Sequence, residues 1–125
     1  MAGMRILIVD DNRIFQILSA QSLKKLRPDA QIVLADDGLE ALARFQEQPF
    51  DLIVTDYNIP GLNGLDLAQA IRQIAPDTQI VLATLEDAVV IRAEAQRRHL
   101  NLDGYLDKPY TLTQLQTVFK SRRSK

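Results

Sequence analysis

The chain has no cysteine, which excludes disulfides and thiolate metal sites and fits a reducing compartment. No apolar run approaches the ~20 residues that span a bilayer, and Met1–Arg5 has no signal-peptide body. Neither charge is in excess. Fifteen Lys+Arg against sixteen Asp+Glu give a formal net charge of −1, so no global field draws the chain to nucleic acid or membrane. There is one histidine, His99, which reads as a surface residue at a helix end. Linkers, low-complexity runs and second-domain signals are also missing. What remains is 125 residues, 46% hydrophobic and 25% charged, which suits a single soluble domain over 1–125 with the cytoplasm as default location.

The pattern that organises the chain is FDLIVTDYNIPGLNG, from Phe50 to Gly64. The apolar run Leu52–Ile53–Val54 delivers Asp56, and the chain then breaks through Asn58, Pro60, Gly61 and Gly64. Short uninterrupted apolar runs read as strands buried on both faces. Arg5–Val9, Gln31–Ala35, Gln79–Ala83 and the short Tyr105–Leu106 read the same way. Between them, helical spacing covers Arg13–Leu26, Leu39–Gln46, Leu65–Ile74, Glu86 to about Arg98, and Leu112–Phe119, the last after a Pro109 break and a Thr111 cap. Lys120–Lys125 reads as a frayed basic tail. Strands alternating with helices require right-handed crossovers, hence a doubly wound α/β fold with a parallel sheet, whose flavodoxin-like five-strand form has the order 2-1-3-4-5.

That topology gathers the polar strand ends at one sheet edge. Strand one ends in Asp10 and Asp11, strand three in Asp56, strand four in Thr84, and strand five runs into Lys108. Strands one and three are neighbours across the switch point, so the three carboxylates converge. Their repulsion calls for a divalent cation, and hard oxygen ligands suit Mg²⁺. A hydroxyl and an ammonium beside them complete a site for a phosphoryl group. Taken singly, each has a blander reading: helix-start acids for Asp10–Asp11, a strand end for Thr84, an exposed loop for Lys108. Asp36–Asp37 keeps the bland reading, because strand two lies away from the switch point. The combination, in order on the required strands, defeats the others.

The chain resembles the receiver domain of two-component response regulators, in its chemotaxis-type single-domain form, over about Arg5 to Phe119. VDDN at Val9–Asn12, DLIVTDYNIPGLNG at Asp51–Gly64, Thr84 and DKPY at Asp107–Tyr110 carry the likeness. The resemblance implies that Asp56 accepts a phosphoryl group from a histidine kinase or histidine phosphotransfer protein. It implies Mg²⁺ held by Asp11, Asp56 and the Asn58 carbonyl, with Asp10 acting through water. Thr84 and Tyr105 would form the switch, repacking the surface of the fourth helix, fifth strand and fifth helix for a protein target. Such a protein is a signalling phosphoacceptor that catalyses only its own phosphorylation and dephosphorylation. Asn58 and Glu86 would rim the site, and Leu85, where the family has a small residue, would partly shield Asp56. His99–Asp103 replaces the family's Ala-Gly-Ala and leaves the end of the fourth helix open.

Two alternatives are weaker. A haloacid-dehalogenase-type phosphatase needs an acid two residues after its nucleophile, where this chain has Asn58. A flavodoxin-type nucleotide binder needs a phosphate cradle after strand one, where Asp10–Asp11 would repel phosphate. On the first helix, Phe15 and Leu18 are expected to face the core, leaving Ile14 and Ile17 exposed for kinase docking. Arg92, Arg97, Arg98, Lys120, Arg122 and Arg123 form a basic cluster that would steer an acidic partner.

Overall fold

Five apolar runs become five parallel strands. The structure, a computed structural model, describes residues 3–108 and 110–123, with side chains through 118; Pro109 and the end of the tail lie outside the described residues. Strands β1 (Arg5–Val9), β2 (Gln31–Ala35), β3 (Leu52–Thr55), β4 (Gln79–Thr84) and β5 (Gly104–Asp107) alternate with helices α1 (Arg13–Leu26), α2 (Gly38–Glu47), α3 (Gly64–Ile74), α4 (Ala88–Arg97) and α5 (Leu112–Arg123). The order is β2-β1-β3-β4-β5, the expected doubly wound sheet. Central β3 and β4 are buried at every position, whereas edge strands β2 and β5 are only partly covered.

Side chains alternate across a strand, so β1 sends Leu7 and Val9 to one face and Ile6 and Ile8 to the other. Residues of α2, α3 and α4, including Phe45, Ile71 and Ile91, cover the first face. Leu23 of α1 and Leu115 of α5 help cover the second. Ile6, Leu7, Ile53, Ile80 and Leu82 are each at most 1% exposed, and burying each contributes about 1.5–3 kcal/mol.

Caps set the helix ends. The Asn12 side chain accepts from the amides of Ile14 and Phe15, and Asp37 accepts from Glu40, which gives the Asp36–Asp37 pair its structural role. Asn63 and Asp66 form a capping box on α3, and Thr111 and Gln114 form a reciprocal pair on α5. Helix α4 starts two residues later than its periodicity predicts. The Glu86 amide bonds back to the Thr84 hydroxyl at 3.0 Å, and Asp87 becomes the cap. At its other end, the Leu100 amide reaches Ala95 O and the His99 amide reaches Gln96 O. His99 takes φ 56°, the left-handed residue of a Schellman motif, where glycine is the usual occupant.

Two expectations are corrected. Residues 120–123 continue α5 instead of fraying, with no Gly or Pro there to stop the helix. On α1, neither Phe15 nor Leu18 joins the core: Phe15 is half-buried outside both apolar clusters, and Leu18 is 52% exposed, beside Ile14 and Ile17 at 67% and 46%. The helix instead buries Gln16, Ser19 and Leu23. Two of these are polar, and they tolerate burial because each finds partners described below.

Candidate functional site

The sheet registers bring the site together. Val9 pairs with Thr55, and the ladder runs one step further as the Asp56 amide donates to Val9 O at 2.9 Å and the Asp10 amide to Ala35 O at 3.1 Å. Thr84 pairs with Asp107, and the Lys108 amide donates to Thr84 O at 2.9 Å. Asp10, Asp56, Thr84 and Lys108 therefore stand on the same edge because their strands are in register. Gly64 lets α3 start close behind the site, since a Cβ there would lie 2.5 Å from the Asp56 carbonyl oxygen.

Carboxylate oxygens of Asp10, Asp11 and Asp56 lie within 4.8 Å of one another. Asp10 is buried, Asp56 half-buried and Asp11 exposed. The Lys108 side chain, 4% exposed, pairs its Nζ with Asp10 Oδ2 and, at 3.1 Å, with Asp56 Oδ2. One ammonium thus serves two of the three clustered carboxylates and leaves a net deficit of positive charge. An all-oxygen, open-faced set with surplus negative charge fits Mg²⁺. Burial raises the Asp56 pKa above the ordinary carboxylate range, and nearby Asp10 adds to the rise; the Lys108 bond opposes both.

Thr84 is 2% exposed, and its hydroxyl oxygen is held by the Glu86 amide. The rim is tied across: Asn58 Nδ2 donates to Glu86 Oε1 at 2.8 Å, so these two residues hold each other. Leu85 stands on the rim of the same cleft, about 230 Å³ in volume, and is 72% exposed. Tyr105 is half-buried on β5 under the Arg92 guanidinium, 4.4 Å from the ring centroid.

Three contacts around the site were not assigned to it from sequence. The Phe15 ring lies under the Lys108 ammonium at 4.3 Å. Gln16 Nε2 donates to the Asp10 carbonyl and to Asp36 Oδ1, tying the acidic loop to the β2–α2 loop. Ser19 and Tyr110 share a hydrogen bond that fastens the β5–α5 loop to α1. The signal was polar residues at 16 and 19, three apart and so on one helix face.

The comparisons agree with this geometry. Residues 6–120 match the response regulator receiver domain. The chain belongs to the response regulator receiver family. It is 36% identical over 119 residues to the chemotaxis protein CheY-3 of Vibrio cholerae, covering 90% of this chain and 86% of that protein. It is 38% identical over 113 residues to the virulence sensor protein BvgS of Bordetella bronchiseptica, covering 86% of this chain but only 9% of BvgS. Among solved structures, the response regulator TrrA of Thermotoga maritima, in complex with Mg²⁺ and BeF, superposes with a TM-score of 0.79 at 29% identity, covering 94% of this chain and 96% of that one. This receiver domain is a phosphoacceptor module of two-component signalling. Among the described residues, no helix is long and apolar enough to cross a membrane.

Proposed function

We propose that Asp56 is the phosphoacceptor, with Lys108 and Thr84 as its partners. The observation that carries this is a half-buried carboxylate at the centre of the edge, within hydrogen-bond reach of Lys108 and beside two further acids. An Asp56 oxygen attacks the phosphorus of a phosphohistidine. The O–P bond forms as the N–P bond breaks, and the imidazole leaves with the electron pair. Mg²⁺, held by Asp11, Asp56 and the Asn58 carbonyl with Asp10 through water, would neutralise charge on the transferred group. Lys108 stays beside Asp56, and the Thr84 hydroxyl donates its proton in a hydrogen bond to a phosphoryl oxygen. Water attack later returns inorganic phosphate and the carboxylate, so turnover is confined to the domain's own phosphorylation and dephosphorylation. Asn58, Leu85 and Glu86 rim the route of that water.

Movement of Thr84 toward the new group opens space for Tyr105 and reshapes the α4–β5–α5 surface for a protein target. The donor, a histidine kinase or histidine phosphotransfer protein in the cytoplasm, docks beside the exposed stripe of Ile14, Ile17 and Leu18. Charge steering by the basic cluster is weaker than its sequence suggests. Arg97 pairs with Glu94, and Arg98 pairs with Glu94 and Asp66. Arg92 lies on Tyr105, while the side chains of Lys120, Arg122 and Arg123 lie outside the described residues.

The test is labelling by radioactive acetyl phosphate with Mg²⁺. Wild-type protein should take up to one hydroxylamine-labile phosphoryl group, and Asp56→Asn should take none. Equal labelling of the variant would place the acceptor elsewhere.

A further inference from the structure

We infer that Phe15 is a positioning residue: its ring holds the Lys108 ammonium next to Asp56 while the carboxylates serve a second cation. The inference rests on Asp56 being the phosphoacceptor. Phe15 sits in the first turn of α1, its amide bonded to the Asn12 side chain at 3.2 Å, so the cap fixes where the ring is carried. Among the described residues it is part of neither apolar cluster of the core. The ring instead lines the phosphoacceptor cleft, its centroid 4.3 Å from Lys108 Nζ. An aromatic face at that distance attracts a cation, more strongly where water is excluded, and the Lys108 side chain is only 4% exposed.

The chemistry of the site gives this contact its purpose. Asp10 and Asp56 both accept from Lys108, and both also belong to the acidic trio that suits a dication. Each carboxylate therefore has two cations to serve, and loading the trio weakens its hold on the ammonium. The Phe15 ring has no such conflict. It offers no oxygen to a hard dication, yet its face attracts the ammonium whatever the carboxylates do. Among the described residues, it is the one partner of the Lys108 ammonium that a metal does not compete for, and it keeps the ammonium where a phosphoryl oxygen on Asp56 must be met.

The test replaces Phe15 with phenylalanines carrying one, two and three ring fluorines, which drain the negative π face while nearly preserving shape, alongside Phe15→Leu and Phe15→Tyr. Binding of beryllofluoride is titrated at saturating Mg²⁺ and followed by tyrosine fluorescence and NMR. Affinity should fall stepwise with fluorination, about fivefold or more by the trifluoro ring. Phe15→Leu should match the trifluoro protein, and Phe15→Tyr should match wild type. A flat fluorine series overturns the inference, whether Phe15→Leu is impaired (packing alone) or normal (no role). Wild-type protein that binds no beryllofluoride overturns the phosphoacceptor reading itself.

Discussion

The two sides of the sheet edge that carries Asp56 are built differently. On the α1 side, Lys108 is 4% exposed and doubly ion-paired, Gln16 ties Asp10 to the next loop, and Ser19 bonds Tyr110. On the α4 side, Leu85, Val89 and Val90 are 72%, 75% and 62% exposed, and an open cleft of about 370 Å³ runs along the helix past Tyr57. Group transfer needs reacting groups held within a fraction of an ångström, and the α1 side supplies that. A switch needs a surface whose constraints can be broken, and under the proposed function the α4 side offers one that is exposed and held by surface contacts such as Asn58–Glu86 and Arg98–Asp66. Under the proposed function, chemistry and readout share one edge but not one degree of restraint.

The largest expected effect breaks the restrained side. Lys108→Met leaves Asp10 and Asp56 facing each other with their shared cation gone, and should cost about 3 kcal/mol of stability in chelator. Added Mg²⁺ should return much of it by binding the folded state. The matched change on the open side, Val89→Asp, should alter stability by less than about 0.5 kcal/mol. Urea denaturation of both variants measures the contrast, and equal losses would erase it.

A second effect depends on pH. The folded Asp56 pKa is raised, chiefly by burial. A raised acid adds stability when protonated and loses it as pH rises through the folded pKa. Without divalent cation, Asp56→Asn should therefore be more stable than wild type at pH 7. The gap should close as the pH falls through the raised pKa. A gap that widens on acidification would show that Lys108, not burial, dominates Asp56.

The smallest effect sharpens the open side. His99 holds a left-handed φ of 56° at the end of α4, and relieving a side chain there is worth about 1 kcal/mol, partly offset by glycine's unfolded-state entropy. His99→Gly should raise stability by a few tenths of a kcal/mol in thermal melts without affecting phosphoryl labelling.

Much of this was legible in sequence. Arg5–Val9 and Gln79–Ala83 announced buried strands because parallel strands are apolar on both faces. Asp10, Asp56, Thr84 and Lys108 lie where strand order alone puts them. The misreadings have physical causes. On α1, apolar spacing pointed Leu18 inward, but Gln16 and Ser19 are buried because the Gln16 amide nitrogen and the Ser19 hydroxyl find partners in Asp10, Asp36 and Tyr110. The start of α4 moved because a side-chain hydroxyl, Thr84, captured an amide that the periodicity gave to the helix. Long-range polar pairing of this kind leaves no periodic trace.

The most direct test follows backbone amide resonances as beryllofluoride and Mg²⁺ are added to wild-type protein. Shifts next to Asp10, Asp11 and Asp56 report binding alone. Beyond them, the account predicts that amides from Thr84 through α4 to Tyr105 move strongly while those of Gln16, Ser19 and Leu23 barely move. Equal shifts on both sides, or none around Tyr105, would contradict it.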